Sequence, residues 1–296
     1  MLRGFLIAGA VLAGLSRAAP ARADDMPLMG VSQSVVASSG CSQATTFLAA
    51  ATGMSAADQA AYTALICGIA SSGASLDAVW MFAAPTAAIS QLNLLNPSAY
   101  SLTWNNDVLL DSNVGVIGDA NIAYINTNYN PGAGGTSLTQ NSASFGLCVL
   151  NTRANNASIN SGYFGLQEGA GTKNYNYLQV GSGSNGYWGI AASNYTTLAP
   201  YSQNQGQWVA NRTSSSSQTL YYNGTSFSSN STASSTIYNA NWYILANDVV
   251  GTGATNYSGD TLAYVWVGAG LTTGQMSTLR SLFNTFLVTR HLQPVC

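Results

Sequence analysis

Charge is what this sequence has least of: acidic and basic residues together make up 6% of it, against roughly 25% in an average soluble protein. Lys173 is the sole lysine, Glu168 the sole glutamate and His291 the sole histidine. Chemistry that needs several ionisable groups in one pocket therefore has few residues to draw on. A nucleic-acid partner is excluded on the same ground, because gripping phosphates takes a basic face, and 8 Lys and Arg stand against 10 Asp and Glu. Zinc is excluded as well. No two of the 4 cysteines have C-x2–4-C spacing, and one histidine cannot complete a site. No run after the first residues is long and apolar enough to span a bilayer.

Enzyme classes fall one at a time. A Ser-His-Asp site, or a thiol nucleophile, would have to use His291, which sits beside Arg290 near the end of the sequence, and no G-x-S-x-G elbow occurs. Gly181, Gly183 and Gly186 spell G-x-G-x-x-G, but Tyr187-Trp188-Gly189-Ile190 continues as a strand where a dinucleotide loop needs a helix. Glycoside hydrolysis needs two carboxyl groups flanking one bond, and Glu168 has no acidic neighbour nearby. Asp107 and Asp111 bound a short apolar run and read first as turn residues. The expectation is a protein that is not an enzyme.

What is present begins with an export segment. Arg3, the apolar run Phe5 to Leu15 and the small-residue motif Ala21-Arg22-Ala23 have the layout of a signal peptide over residues 1–23. Cleavage would remove Arg3, Arg17 and Arg22, leaving an acidic mature chain without a membrane span, secreted to an extracellular or periplasmic space. Cysteines 41, 67, 148 and 296 would then meet an oxidising compartment, where disulfides persist. Four cysteines allow three pairings. Cys41 and Cys67 flank one helix and are favoured, with Cys41–Cys296 as the rival.

Residues 24–53 form a Ser/Ala/Gly-rich leader of weak periodicity, expected to be loosely ordered. A domain over 54–296 follows. Ser55 and Asp58 have capping-box spacing, and Tyr62, Leu65, Ile66 and Ile69 form one helical stripe that ends near Gly73. Thr272 and Gln275 open a second helix whose stripe is Met276, Leu279, Phe283, Phe286 and Leu287. Neither helix could be stable alone, so both are expected to dock on the sandwich near each other, burying Leu65, Ile69, Leu279 and Phe283. Between them lie many short β-type runs split by Asn, Gly and Ser, among them Tyr175–Val180, Tyr187–Ala191 and Leu262–Val267. Asn223-Gly224 after Leu220-Tyr221-Tyr222 marks a tight hairpin. This texture predicts a mainly β protein, an antiparallel jelly-roll β-sandwich with an N-terminal and a C-terminal helix packed on it.

Several stretches carry a resemblance over roughly residues 54–290. They are Met54-Ser55-Ala56-Ala57-Asp58-Gln59, Leu76-Asp77-Ala78-Val79-Trp80-Met81-Phe82-Ala83-Ala84-Pro85, Tyr124-Ile125-Asn126-Thr127, Tyr222-Asn223-Gly224 and Val267-Gly268-Ala269-Gly270-Leu271-Thr272. With these the chain resembles phage and prophage proteins, tail-fibre and structural proteins among them, that carry a concanavalin A-like (laminin-G-like) sandwich. The resemblance implies that fold and transfers no activity. The glucanases of that fold share an E-x-D-x-E strand that this chain lacks, and an export signal departs from a virion protein made in the cytoplasm.

Two candidate sites remain. Asp107, Asp111 and Asp119, with neighbouring asparagines, are the densest run of oxygen ligands and the only weak candidates for calcium; loop-forming turns account for them equally, and no cofactor is required. The other resource is aromatic: 16 tyrosines and 6 tryptophans, several in Asn/Gly/Ser surroundings. Singly, each reads first as sandwich core. As a group, Tyr175, Tyr177, Tyr187, Trp188, Tyr195 and Tyr201 are the expected binding face, because aromatic rings stack on sugar C–H faces and need no charge. The predicted function is a secreted, non-catalytic glycan-binding or surface-adhesion module whose partner is a polysaccharide or cell-surface glycan. The alternative is a self-associating subunit of an extracellular or phage-derived particle or filament, since a surface of low charge repels its copies weakly.

Overall fold

The computed structural model of the chain describes residues 40–151, 161–167, 174–180, 186–198, 205–292 and 296. Helices α1 (Ser42–Ala50) and α2 (Ala56–Ser71) come first, then β1 (Leu76–Met81) and the one-turn helix α3 (Ala87–Ser90). Short strands β2 (Thr103–Asn105), β3 (Leu109–Asp111), β4 (Gly115–Ile117) and β5 (Tyr124–Asn126) follow. Next are β6 (Ala143–Asn151), β7 (Ser161–Gln167), β8 (Tyr175–Val180), β9 (Gly186–Ala192), β10 (Thr196–Leu198) and β11 (Gly206–Ser214). Then β12 (Ser217–Tyr222), β13 (Thr225–Asn230), β14 (Tyr243–Ile244), β15 (Asn247–Val249), β16 (Gly253–Thr255) and β17 (Thr261–Gly268) lead to α4 (Thr273–Val288).

These strands make two sheets. Sheet A runs β13-β12-β11-β6-β17-β4-β3, with β1 also on β17; sheet B runs β10-β9-β8-β7-β14-β5-β2, with β15 and β16 attached beside β7. The described pairings are antiparallel except β15 on β7. The predicted jelly-roll sandwich is therefore present. Asn223 and Gly224 both have positive φ and join β12 to β13 with Tyr222 opposite Thr225, the two-residue hairpin their sequence demands.

Between the sheets lies a core built on Trp80, Trp188, Trp208, Trp242, Phe145 and Phe164. A second core covers the opposite face of sheet A, where α1, α2 and α4 pack on Val79, Met81, Val209, Tyr264 and Trp266. Strand β17 shows how one strand serves both. Leu262, Val265 and Val267 face sheet B, whereas Ala263, Tyr264 and Trp266 lie under the helices. Simple alternation would put Leu262 with Tyr264 and Trp266; a register irregularity between Leu262 and Tyr264 moves it to the other side.

Both predicted capping boxes form. Ser55 and Asp58 start α2, and Thr272 and Gln275 start α4. Leu65, Ile69, Leu279 and Phe283 are all buried, and the Phe283 ring stacks on Tyr264 at 4.1 Å. Across the helix pair, Arg290 at the end of α4 binds Asp58 at the start of α2 and lies over the Tyr62 and Phe286 rings. Burial works against the Asp58 charge, but hydrogen bonds from Arg290 and Ser55 hold its carboxyl below the usual carboxylate range.

The leader reading needs correction. Residues 1–39, the export segment included, lie outside the described residues, but 42–50 are helical rather than loose. Phe47 is buried against Tyr62 with ring centroids 5.1 Å apart, and Cys41 is joined to Cys67. Tethering and one buried aromatic order a segment whose periodicity is weak. The favoured pair Cys41–Cys67 forms, and Cys296 joins Cys148 instead of competing for Cys41. No helix among the described residues is long and apolar enough to cross a membrane.

Phe283→Ala removes a ring stacked in the layer between α4 and sheet A. We expect a loss of about 3–5 kcal/mol and a much lower Tm by thermal denaturation. A variant melting at the parent temperature would show that α4 adds nothing to the sandwich.

Candidate functional site

The central strands of sheet A are covered on both faces, whereas no described helix covers the outer face of sheet B. Alternation along β8 sends Leu178 into the inter-sheet core and places Tyr175, Tyr177 and Gln179 on the outer face. On β9, Trp188 and Ile190 point inward and Tyr187 outward. Tyr195, just before β10, joins the group; its ring lies 5.3 Å from Tyr175 and 5.1 Å from Tyr187, both edge to face. Tyr175 and Tyr177 are 5.9 Å apart. Burial and then the surrounding Tyr175, Tyr195 and Tyr187 push the Tyr177 phenol far above its ordinary value, so it stays a neutral hydrogen-bonding group.

Gln167, Tyr177, Gln179, Tyr187, Tyr195 and Asn256 line an open cavity of about 230 Å³. No charged side chain is among them. Gln179 is fixed by the Asn247 and Asn256 amides, which donate to its Oε1 at 3.2 and 3.3 Å. The floor depends on Gly165, opposite Tyr177 in the register. It has φ +132°, and a Cβ there would come within 2.0 Å of the Asn176 carbonyl oxygen and 2.5 Å of the Tyr177 Cα. No larger residue fits beside Tyr177.

Polar ties across the sandwich hold β9 in place. Arg212 of β11 donates through Nε to the Ile190 carbonyl at 2.7 Å, and Gln218 of β12 accepts from the Ile190 N–H at 3.1 Å. The same guanidinium donates to the Ser214 and Thr232 carbonyls. Burial pulls its pKa down to about 10. A second tyrosine group lies farther along the outer face: Tyr124 is 4.8 Å from Tyr243 and 6.4 Å from Tyr257. Asp248 of β15 stands opposite the core residue Leu166 of β7, and burial pushes its carboxyl up to about 6.

Of the residues singled out from sequence, Tyr175, Tyr177, Tyr187 and Tyr195 come together. Trp188 does not: it is fully buried between the sheets, because the strand that turns Tyr187 outward turns its neighbour inward. Tyr201 lies outside the described residues. Asp107, Asp111 and Asp119 are exposed. Oδ1 of Asp119 accepts the N–H groups of Asn121, Ile122 and Ala123, which makes it the centre of a turn. No three His, Cys, Asp or Glu side chains among the described residues gather as for a metal ion. Gln179 was legible as the third member of the outward row with Tyr175 and Tyr177. Asn256 and Asp248 sit in or beside strands too short to show a period.

A larger cavity, about 300 Å³, lies between α4 and strands β11–β13. Arg280 borders it and donates to the Cys296 carbonyl at 2.8 Å, tying α4 to the Cys148–Cys296 link.

Because Asp248 has a raised pKa in the folded chain, its charge opposes folding above about pH 6, and that penalty fades as pH falls toward the unfolded carboxyl value of about 4. Asp248→Asn is therefore expected to raise Tm at pH 7–8 and to lose that advantage by about pH 4, read as the difference between two melting curves at each pH. An equal offset at every pH would contradict the burial of this carboxyl.

No protein-family model and no curated protein matches the sequence. Solved structures align with part of the chain. The binding domain of botulinum neurotoxin serotype D aligns with 68% of this chain at 11% identity and a TM-score of 0.44. A Trypanosoma rangeli sialidase in complex with sialic acid aligns with 69% at 12% identity and a TM-score of 0.46. Domain 4 of the extracellular arabinanase AbnA from Geobacillus stearothermophilus, in complex with arabinotriose, aligns with 69% at 13% identity and a TM-score of 0.45. The alignments cover 50% of the toxin domain, 32% of the sialidase and 97% of the arabinanase domain. At these scores none of the three assigns a function to this chain.

Proposed function

We propose that this chain is a secreted, non-catalytic glycan-binding module and that its binding surface is the outer face of sheet B. One observation carries the reading: Tyr175, Tyr177, Tyr187 and Tyr195 gather beside Gln167, Gln179 and Asn256 around an open, uncharged cavity. Such a surface suits a sugar. Tyrosine rings offer flat apolar area with a polar tip, and amide groups both donate to and accept from hydroxyls. A few oriented polar groups in a mostly aromatic concavity are the usual makeup of a ligand site.

The non-catalytic part rests on the acids. Hydrolysis of a glycosidic bond generally takes two carboxyl groups set across it. No carboxylate lines the tyrosine cavity: Asp248 stands opposite the core residue Leu166 with its charge opposed by burial, while Asp119 is occupied by three backbone amides. Export is supported by the N-terminal segment and by the pairs Cys41–Cys67 and Cys148–Cys296, which persist where thiols are oxidised.

Screening immobilised neutral and acidic glycans, then titrating by calorimetry, tests the reading. Tyr187→Ala and Tyr195→Ala are each expected to weaken binding roughly threefold to tenfold, the worth of about 0.5–1.5 kcal/mol for one aromatic contact. Tyr195 is 41% exposed, so its loss should leave Tm nearly unchanged. Binding to no glycan, or binding that ignores both substitutions, would overturn the proposal.

A further inference from the structure

The cavity of about 300 Å³ between α4 and strands β11–β13 has one charged side chain in its lining, Arg280. Thr225, Thr273 and Ser277 bring hydroxyls to it, Gln207 and Asn223 bring amides, and no carboxylate is among the lining residues. Two other described arginines are already engaged: Arg212 by three carbonyls and Arg290 by Asp58. Arg280 is different. Its Nε donates to the Cys296 carbonyl at 2.8 Å, but Nη1 and Nη2 have no hydrogen-bond or ion-pair partner among the described residues. Nη1 passes over the β12–β13 turn, 3.5 Å from where a Cβ on Gly224 would stand. Thr273, the first residue of the 16-residue helix α4, belongs to the same lining. The positive pole of that helix therefore adds to the field of the guanidinium. An unopposed cation on an uncharged, polar cavity calls for an anion.

We propose that this cavity is a second ligand site, that it takes a small free hydroxy acid, and that Arg280 holds the carboxylate. The site is separate from the tyrosine face and does not depend on the glycan-binding reading. With Nε occupied, Nη1 and Nη2 still offer the end-on pair of donors that grips both oxygens of a carboxylate, and such charge-assisted bonds are about twice as strong as neutral ones. One arginine matches one negative charge. A phosphate monoester would bring close to two, with no second cation in the lining to meet the excess. The hydroxyls and amides around Arg280 both donate and accept, which suits a ligand body that carries hydroxyls of its own. Buried Val209 and Met276 supply the apolar part of the wall. The volume is at the small end of ligand pockets, so one small molecule fills it.

The test titrates gluconate, its uncharged counterpart sorbitol, and inorganic phosphate calorimetrically into the intact protein at low salt and neutral pH. Gluconate is expected to bind, sorbitol and phosphate to bind at least about tenfold more weakly, and added salt to weaken gluconate. Arg280→Gln is expected to cost gluconate about tenfold or more. Because Arg280 also holds Cys296, a second variant is needed. Ser277 is exposed at the edge of the cavity, so Ser277→Trp should obstruct it, abolish gluconate binding and leave Tm unchanged. Tyr187→Ala, on the other sheet, should leave gluconate affinity as it is, which separates this site from the glycan face. Sorbitol binding as tightly as gluconate, or phosphate binding more tightly, would overturn the carboxylate assignment. Gluconate binding that survives both Arg280→Gln and Ser277→Trp, or no binding of gluconate at all, would overturn the site.

Discussion

Strand β17 is buried along its whole length, from Thr261 to Gly268, because the centre of sheet A has water on neither side. One face meets sheet B and the other meets α2 and α4. Such a strand must supply apolar side chains in both directions, and it does, with Val265 and Val267 against Tyr264 and Trp266. The rest of the architecture follows from covering that second face. Neither helix would persist alone, so their stripes and the stripe of sheet A need one another. The Cys41–Cys67 link, the Cys148–Cys296 link and the Arg290–Asp58 pair then fasten the helical layer at different points.

Sheet B is left as the sheet with an open face, and the shortage of charge decides what that face can be. Without arginines and carboxylates to spare, the polar positions are filled by amides and phenols. The same shortage shapes how the face is held. The Ile190 peptide of β9 is gripped on both sides by sheet A, its carbonyl by Arg212 and its N–H by Gln218. A guanidinium satisfied by carbonyls is expensive to bury, as its lowered pKa records. In return it fixes the strand that carries Tyr187 against the opposite sheet. The open cavity is thus set on a braced strand, with Gln179 locked by two asparagine amides beside it.

Much of this was legible in the residues. Capping boxes at Ser55 and Thr272 place two helices almost to the residue, and Asn223-Gly224 fixes a hairpin, because local hydrogen bonding and positive φ are properties of a few adjacent side chains. The outward row Tyr175, Tyr177, Gln179 follows from a period of two. Trp188 was misplaced by grouping aromatics by neighbourhood instead of by parity along the strand. Helix α1 was missed because its order comes from a disulfide and from Phe47 seated on Tyr62, contacts that span the fold. Asp248 and Asn256 were missed because their strands hold only three residues or end just before them. Asn256 reaches the outer face beside β7, where its carbonyl accepts from the Gly162 N–H, and Asp248 stands opposite Leu166 of β7; no local pattern announces either contact.

The most direct test of the account is to watch the tyrosine rings themselves. With ring-labelled tyrosine, NMR titration by a neutral glycan that binds should move the resonances of Tyr175, Tyr177, Tyr187 and Tyr195 and leave those of Tyr62 and Tyr264, under the helices, where they are. Shifts confined to Tyr62, Tyr264 or Tyr221, which lines the cavity between α4 and β11–β13, would place the ligand under the helices and contradict the account.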